Sequence, residues 1–130
     1  MTIRECYEKT GSDYESILKR FGSEAMIQRF ALKFLKDPSY AELREALEVR
    51  DAERAFRAAH TLKGVCLNLG FDRLYEISAA MTEDRLYNVS AELTEKLRGR
   101  EIEESEELFE QVEKEYHALT AVLKQYESEL

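Results

Sequence analysis

Residues 57–71 read RAAHTLKGVCLNLGF. On a helical wheel at ~100° per residue with His60 at the origin, Ala55, Ala58, Ala59, Leu62, Val65, Cys66 and Leu69 share an arc between about 140° and 260°. That arc is the expected core face of a helix opened by Asp51 with Arg54 and closed at Gly70. His60 lies on the opposite side and is expected in solvent. Glu53, Arg57, Lys63, Gly64 and Asn68 lie within ~80° of it, and Phe56 and Leu67 lie near −40° and −20°. Two large apolar residues beside an outward histidine suggest a surface that another molecule covers.

Outward from this helix the same helical spacing recurs. TIRECYEK predicts a short first helix ending near Gly11. Ser12 is the expected cap of a second, with Glu15 completing a capping box and Ile17, Leu18 and Phe21 on its apolar side. Ser23 is the expected cap of a third, whose Met26, Ile27, Phe30, Ala31, Phe34 and Leu35 keep a 3–4 spacing. Asp37-Pro38 stops it and opens a fourth running to about Glu48, with Pro38 at the first helical position. From Phe71 the chain reads as helical to near Gly99. A last helix is expected from about Glu103 to Gln125, burying Leu108, Val112, Tyr116, Leu119 and Leu123. No strand signal competes. His117, on this last helix, has no glycine or paired basic residue nearby and is expected to be an ordinary surface or edge histidine.

Composition narrows the class. The chain has 130 residues, 19 basic against 27 acidic, for a net charge of −8. That length suits one domain, 1–130, and the acidic balance disfavours nucleic acid and anionic lipid as partners. No apolar run approaches the ~20 residues that span a bilayer, and MTIRECYEKTG has no signal-peptide core. Five glycines, one proline and no tryptophan fit an all-α chain. Cys6 and Cys66 are the only cysteines. A disulfide is possible, but two reduced thiols in a cytoplasmic protein, with Cys66 packed inside, is the preferred reading. No cofactor or metal site is expected from the spacings.

One feature stands apart. Residues 72–83 read DRLYEISAAMTE and residues 84–95 read DRLYNVSAELTE, identical at eight of twelve positions. Twelve residues advance a helix by ~120° beyond whole turns and by ~18 Å. One continuous helix therefore cannot present the same face of both copies to one bundle. Either one copy runs past the bundle, or the helix breaks near Asn88-Val89-Ser90, or the extra apolar stripe meets a second chain. A monomer is expected, with dimerisation through this segment as the alternative.

The chemistry concentrates at His60. An imidazole titrates near about 6.5, so near neutral pH its unprotonated nitrogen is a nucleophile that can take a phosphoryl group. Lys63, one turn on, can balance the incoming negative charge. Gly64 shares that face, although a helix-interior glycine costs about 1 kcal/mol relative to alanine; without a side chain, it lets another backbone come close. No nucleotide-binding loop is present, so a phosphoryl group would have to arrive on another protein.

At AHTLKGVCLNLGF the chain resembles the histidine-containing phosphotransfer (HPt) domains, through His60, Lys63, Gly64 and the closing Leu69-Gly70, with Leu62 in the apolar slot between. The helical layout extends the resemblance from about Ser12 to Tyr126. It implies an antiparallel four-helix bundle with additional short N-terminal helices. It also implies a stand-alone bacterial-type phosphorelay intermediate: His60 would accept a phosphoryl group from an aspartyl phosphate and pass it to another receiver. Lys63 would stabilise the phosphoryl oxygens and Gly64 would give clearance. Phe56, Arg57, Leu67 and Asn68 are the expected docking residues, assigned from the wheel. The implied partners are response-regulator receiver domains or a hybrid histidine kinase, with Mg²⁺ on the receiver and no autonomous kinase activity in this chain. The competing readings are an interaction module of the same fold without transfer, a histidine-dependent hydrolase, and a structural protein that dimerises through the repeat.

Overall fold

The computed structural model describes the backbone of residues 1–82 and 95–130, and the side chains of 1–82 and 105–130. Among the described residues there are helices and no strand. The helices are α1 (Ile3–Lys9), α2 (Tyr14–Phe21), α3 (Glu24–Lys33), α4 (Ser39–Glu48), α5 (Ala52–Leu69), α6 (Asp72–Met81) and α7 (Glu95–Ser128), with a 3-10 turn at Phe34–Lys36. α5 packs between α4 and α6, and α7 closes the bundle against α4, α5 and α6. The short turns joining α4 to α5 and α5 to α6 make those neighbours antiparallel. α1 and α3 lie against α7, and α2 joins them. The expected four-helix bundle with short N-terminal helices is thus the observed architecture.

Local chemistry sets most of the boundaries. Ser23 caps α3 by accepting the Met26 N–H, and Asp51 caps α5 by accepting the Arg54 N–H at 3.1 Å. Gly70 ends α5 in the left-handed region, at φ 73°. A side chain there would also fall against Ile17. Asp37 accepts from the Ser39 N–H and hydroxyl, where the chain turns into α4.

Four expectations need correction. Asp13, not Ser12, caps α2, through the Ser16 N–H. Ser12 is drawn to another helix, where its hydroxyl accepts the first N–H of α6, from Asp72. Pro38 sits one position earlier than expected, as the flanking residue of α4. The helix after Phe71 stops at Met81 rather than near Gly99. Gly99 itself lies inside α7, which begins at Glu95 rather than about Glu103. A glycine ends a helix only where a left-handed turn follows, and its cost of about 1 kcal/mol is small within a 34-residue helix.

The core is continuous across the bundle. α5 contributes Ala55, Ala58, Ala59, Leu62, Cys66 and Leu69, all buried, while Val65 is half-buried at the edge. α4 adds Leu43, Ala46 and Leu47, and α7 adds Val112, Leu119, Leu123 and Tyr126. Leu108 and Tyr116, also expected in that stripe, are half-buried. Tyr7, Phe34 and Phe71 form an aromatic seam under the N-terminal helices. Both cysteines are free and buried, and Cys6 lies 3.5 Å from the Met1 sulfur. Burial pushes the Cys66 thiol up, so it stays protonated and unreactive. The first copy of the duplicated segment forms α6, burying Leu74, Ser78 and Met81. The second copy, and with it the expected break near Asn88-Val89-Ser90, lies outside the described residues apart from the helical backbone of Glu95.

Candidate functional site

α5 carries the candidate residues, and its ends are firmly held. All four carbonyls of its last turn have partners. The Phe71 N–H bonds the Cys66 oxygen at 2.9 Å, and the Gly70 N–H bonds that of Leu67 at 3.3 Å. Arg20, from α2, donates to the oxygens of Leu67 and Asn68 at 2.7 and 3.0 Å. The buried Tyr7, from α1, donates to the Leu69 oxygen at 2.6 Å. Helix ends normally leave these groups to water. Here two N-terminal helices fix the end of the helix that bears His60. Sequence reasoning missed both residues; Arg20 and Tyr7 bind across 47 to 62 positions, and no local signal marks them.

On the outer face, His60 is exposed and makes no hydrogen bond among the described residues. The Phe56 ring, one turn earlier, lies nearly parallel to the imidazole, with centroids 6.1 Å apart and planes 16° apart. Phe56 is half-buried rather than fully outward. Leu67 is 48% exposed and is one of few large apolar side chains in solvent. Arg57 and Asn68 are exposed as expected. Lys63 is half-buried, with its stem in a groove between α5 and α6 lined by Tyr75, Glu76, Ala79, Ala80 and Thr82. Among the described residues its ammonium forms no ion pair. On the other flank, Arg54, Arg57, Ala58 and Thr61 face Glu42 and Glu45 of α4 across a second groove. His60 thus stands on a ridge between two grooves.

Gly64 completes the face. A Cβ built on it would meet nothing within 4 Å, and its backbone is not in the left-handed region. Among the described residues, neither packing nor backbone geometry calls for glycine here. His117 is also exposed, and its ring edge meets Tyr40 and Tyr116, both at 5.8 Å. It is far along the chain from any lysine-glycine pair and belongs to an aromatic cluster, as expected for an edge histidine.

The sequence model of the Hpt domain family matches residues 38–122, a span that takes in α4, α5, α6 and most of α7. No curated protein and no solved structure matches the chain.

Proposed function

Since the chain belongs to the Hpt domain family, whose members carry phosphoryl groups on histidine in phosphorelays, we propose that His60 is its phosphoacceptor and that receiver domains are its donors and acceptors. The observation that carries the reading is Gly64. A helix-interior glycine costs about 1 kcal/mol. Among the described residues nothing occupies the space of the missing side chain, which supports the reading that a body approaching the ridge uses it.

In the proposed reaction the unprotonated imidazole nitrogen attacks the phosphorus of a receiver's aspartyl phosphate. The P–O bond to the carboxylate breaks, the P–N bond forms, and the aspartate leaves as a carboxylate. The return step reverses these bonds with a second receiver carboxylate as nucleophile. Such transfers depend on positioning and on compensation of charge on the phosphoryl oxygens. The anchored α5 supports the first, and the Lys63 ammonium, which has no ion pair among the described residues, supports the second. Phe56 and Leu67 would supply apolar contact, with Arg57 and Asn68 at the polar margin. Any Mg²⁺ would be held by the receiver, and this chain would act as a carrier without kinase activity of its own.

The test is direct. The purified chain is incubated with phosphorylated receiver domains and examined for acid-labile, base-stable label, with His60→Gln as the control. Label that is lost in the variant supports the reading. A chain that binds a receiver yet takes no label would instead be an interaction module of the same fold.

A further inference from the structure

The stretch from Arg54 to Phe71 holds Arg54, Arg57 and Lys63 and no acidic residue, in a chain whose net charge is −8. The helix that bears His60 is thus a basic strip on an acidic molecule. At its far end the sign should change, because the carbonyls that close a helix form the negative pole of its dipole. Arg20, reaching over from α2, lays its guanidinium on that pole, donating to the oxygens of Leu67 and Asn68 at 2.7 and 3.0 Å. The basic strip therefore continues past the end of the helix, on a side chain from another element.

Capping alone is a weak reason for an arginine here. The Leu67 oxygen already accepts from the Gly70 N–H, while the Phe71 N–H and the Tyr7 hydroxyl serve those of Cys66 and Leu69. Asn68 is exposed, and a helix-end carbonyl in such a place is ordinarily left to water. Both bonds from Arg20 come from Nη1. Among the described residues, Nε and Nη2 make no hydrogen bond and the guanidinium forms no ion pair. The Nε–Nη2 edge is the fork that matches a carboxylate. It belongs to an exposed side chain already anchored by its other nitrogen, so little rotamer freedom is left to lose on binding.

Distance places this fork under a body that covers His60. Leu67 lies two turns beyond His60 on the same face, about 10 Å along the helix, with Gly64 between them. Even a small transient interface covers roughly 600 Å² on each partner, a patch on the order of 14 Å in radius. A body that uses the clearance at Gly64 and rests on the exposed Leu67 therefore meets the guanidinium held at the Leu67 carbonyl.

From these observations we propose that Arg20 is a docking residue: α2 gives the ridge a second contact point, where the Nε–Nη2 edge of Arg20 receives a carboxylate of the receiver. The identity of the partner rests on the phosphotransfer reading. α2 lies outside residues 38–122, so this contact belongs to a part of the chain that the family match leaves out. A charge pair at the margin of an apolar contact fixes register and speeds encounter, and salt weakens it.

The test uses the full-length parent, Arg20→Lys, Arg20→Gln and Arg20→Glu, each titrated with unphosphorylated receiver domains from the same source at several salt concentrations. Arg20→Gln keeps an N–H for the carbonyls but no charge, and is expected to melt with the parent, so it reads docking even if Arg20→Glu unfolds. Affinity is expected to fall in the order parent, Lys, Gln, Glu, by at least about fivefold for Gln and at least about tenfold for Glu. Lys should keep the salt dependence of the parent, and Gln should flatten it. Parent-like binding by Arg20→Gln would assign Arg20 to the helix end alone and overturn the proposal. Losses of one size in all three variants, with the salt dependence unchanged, would do the same. So would a parent chain that binds no receiver. The titration uses no phosphate: a parent that binds a receiver yet takes no label removes the phosphotransfer reading and leaves the comparison of Arg20 variants standing.

Discussion

At the scale of single residues, Gly64 within α5 and Gly70 at its end do opposite work. Gly64 has open space around it and a backbone that any residue accepts. Gly64→Ala is therefore expected to raise stability by about 1 kcal/mol, a rise in Tm of roughly 3–5 °C. The same methyl, one turn from His60, is expected to slow transfer from a receiver by at least about tenfold, or ~1.4 kcal/mol of the barrier. Thermal melting and a transfer time course read the two effects separately, and unchanged transfer would remove Gly64 from the docking face. Gly70 is held at φ 73° with Ile17 against it. Gly70→Ala is expected to cost about 1–2 kcal/mol for the backbone and a further ~1–3 kcal/mol for overpacking, read as a lower urea midpoint. Lys63→Ala should leave stability within about 0.5 kcal/mol, as its ammonium forms no ion pair among the described residues, yet slow phosphoryl transfer at least tenfold.

At the scale of elements, the informative case is the last turn of α5. Tyr7 and Arg20 bind neighbouring carbonyls there, but from different surroundings. Tyr7 is 1% exposed, so Tyr7→Phe leaves the Leu69 oxygen buried without its partner, at a cost of about 1–3 kcal/mol. Arg20 is exposed and water can replace it, so Arg20→Ala is expected to cost only about 0.5–1 kcal/mol. Urea denaturation of both variants should show that order, and the reverse order would mean that the exposed cap holds the helix end. The helices themselves were legible where their signals are local: Ser23, Asp51 and Gly70 act within a few positions. Ser12 was misread because its hydroxyl had a second claimant in Asp72, sixty residues away.

At the scale of the whole molecule, the buried protons predict how stability responds to alkali. Burial pushes the Tyr7 phenol and the Cys66 thiol up, and burial, reinforced by the Glu113 carboxylate, pushes Tyr40 up to about 12. The folded chain therefore keeps these protons to higher pH than the unfolded chain does. Their contribution is complete below the unfolded values, near about 8.5 for a thiol and about 10 for a phenol. It is lost as pH rises through that range towards the folded values, because the unfolded state then binds fewer protons. The urea midpoint is expected to decline steadily from about pH 9 to pH 12. Tyr40→Phe should remove part of the decline above pH 10, and an unaltered slope would place the loss elsewhere.

The sequence by itself determined that the chain is helical, where most helices begin and end, and that His60, Lys63 and Gly64 share the face opposite the core. Those properties follow from the 3.6-residue period and from caps that act within one turn, so neighbouring residues suffice to read them. Tertiary structure alone decided what depends on contacts between distant residues. It chose Asp13 over Ser12 as a cap, carried α7 through Gly99, and set the Phe56 ring nearly parallel to His60. It also tied the end of α5 to Tyr7 and Arg20, and set the first copy of the repeat into the bundle. The cap at Asp13 and the hold on the end of α5 turn on partners far apart in the chain, and only packing brings those together.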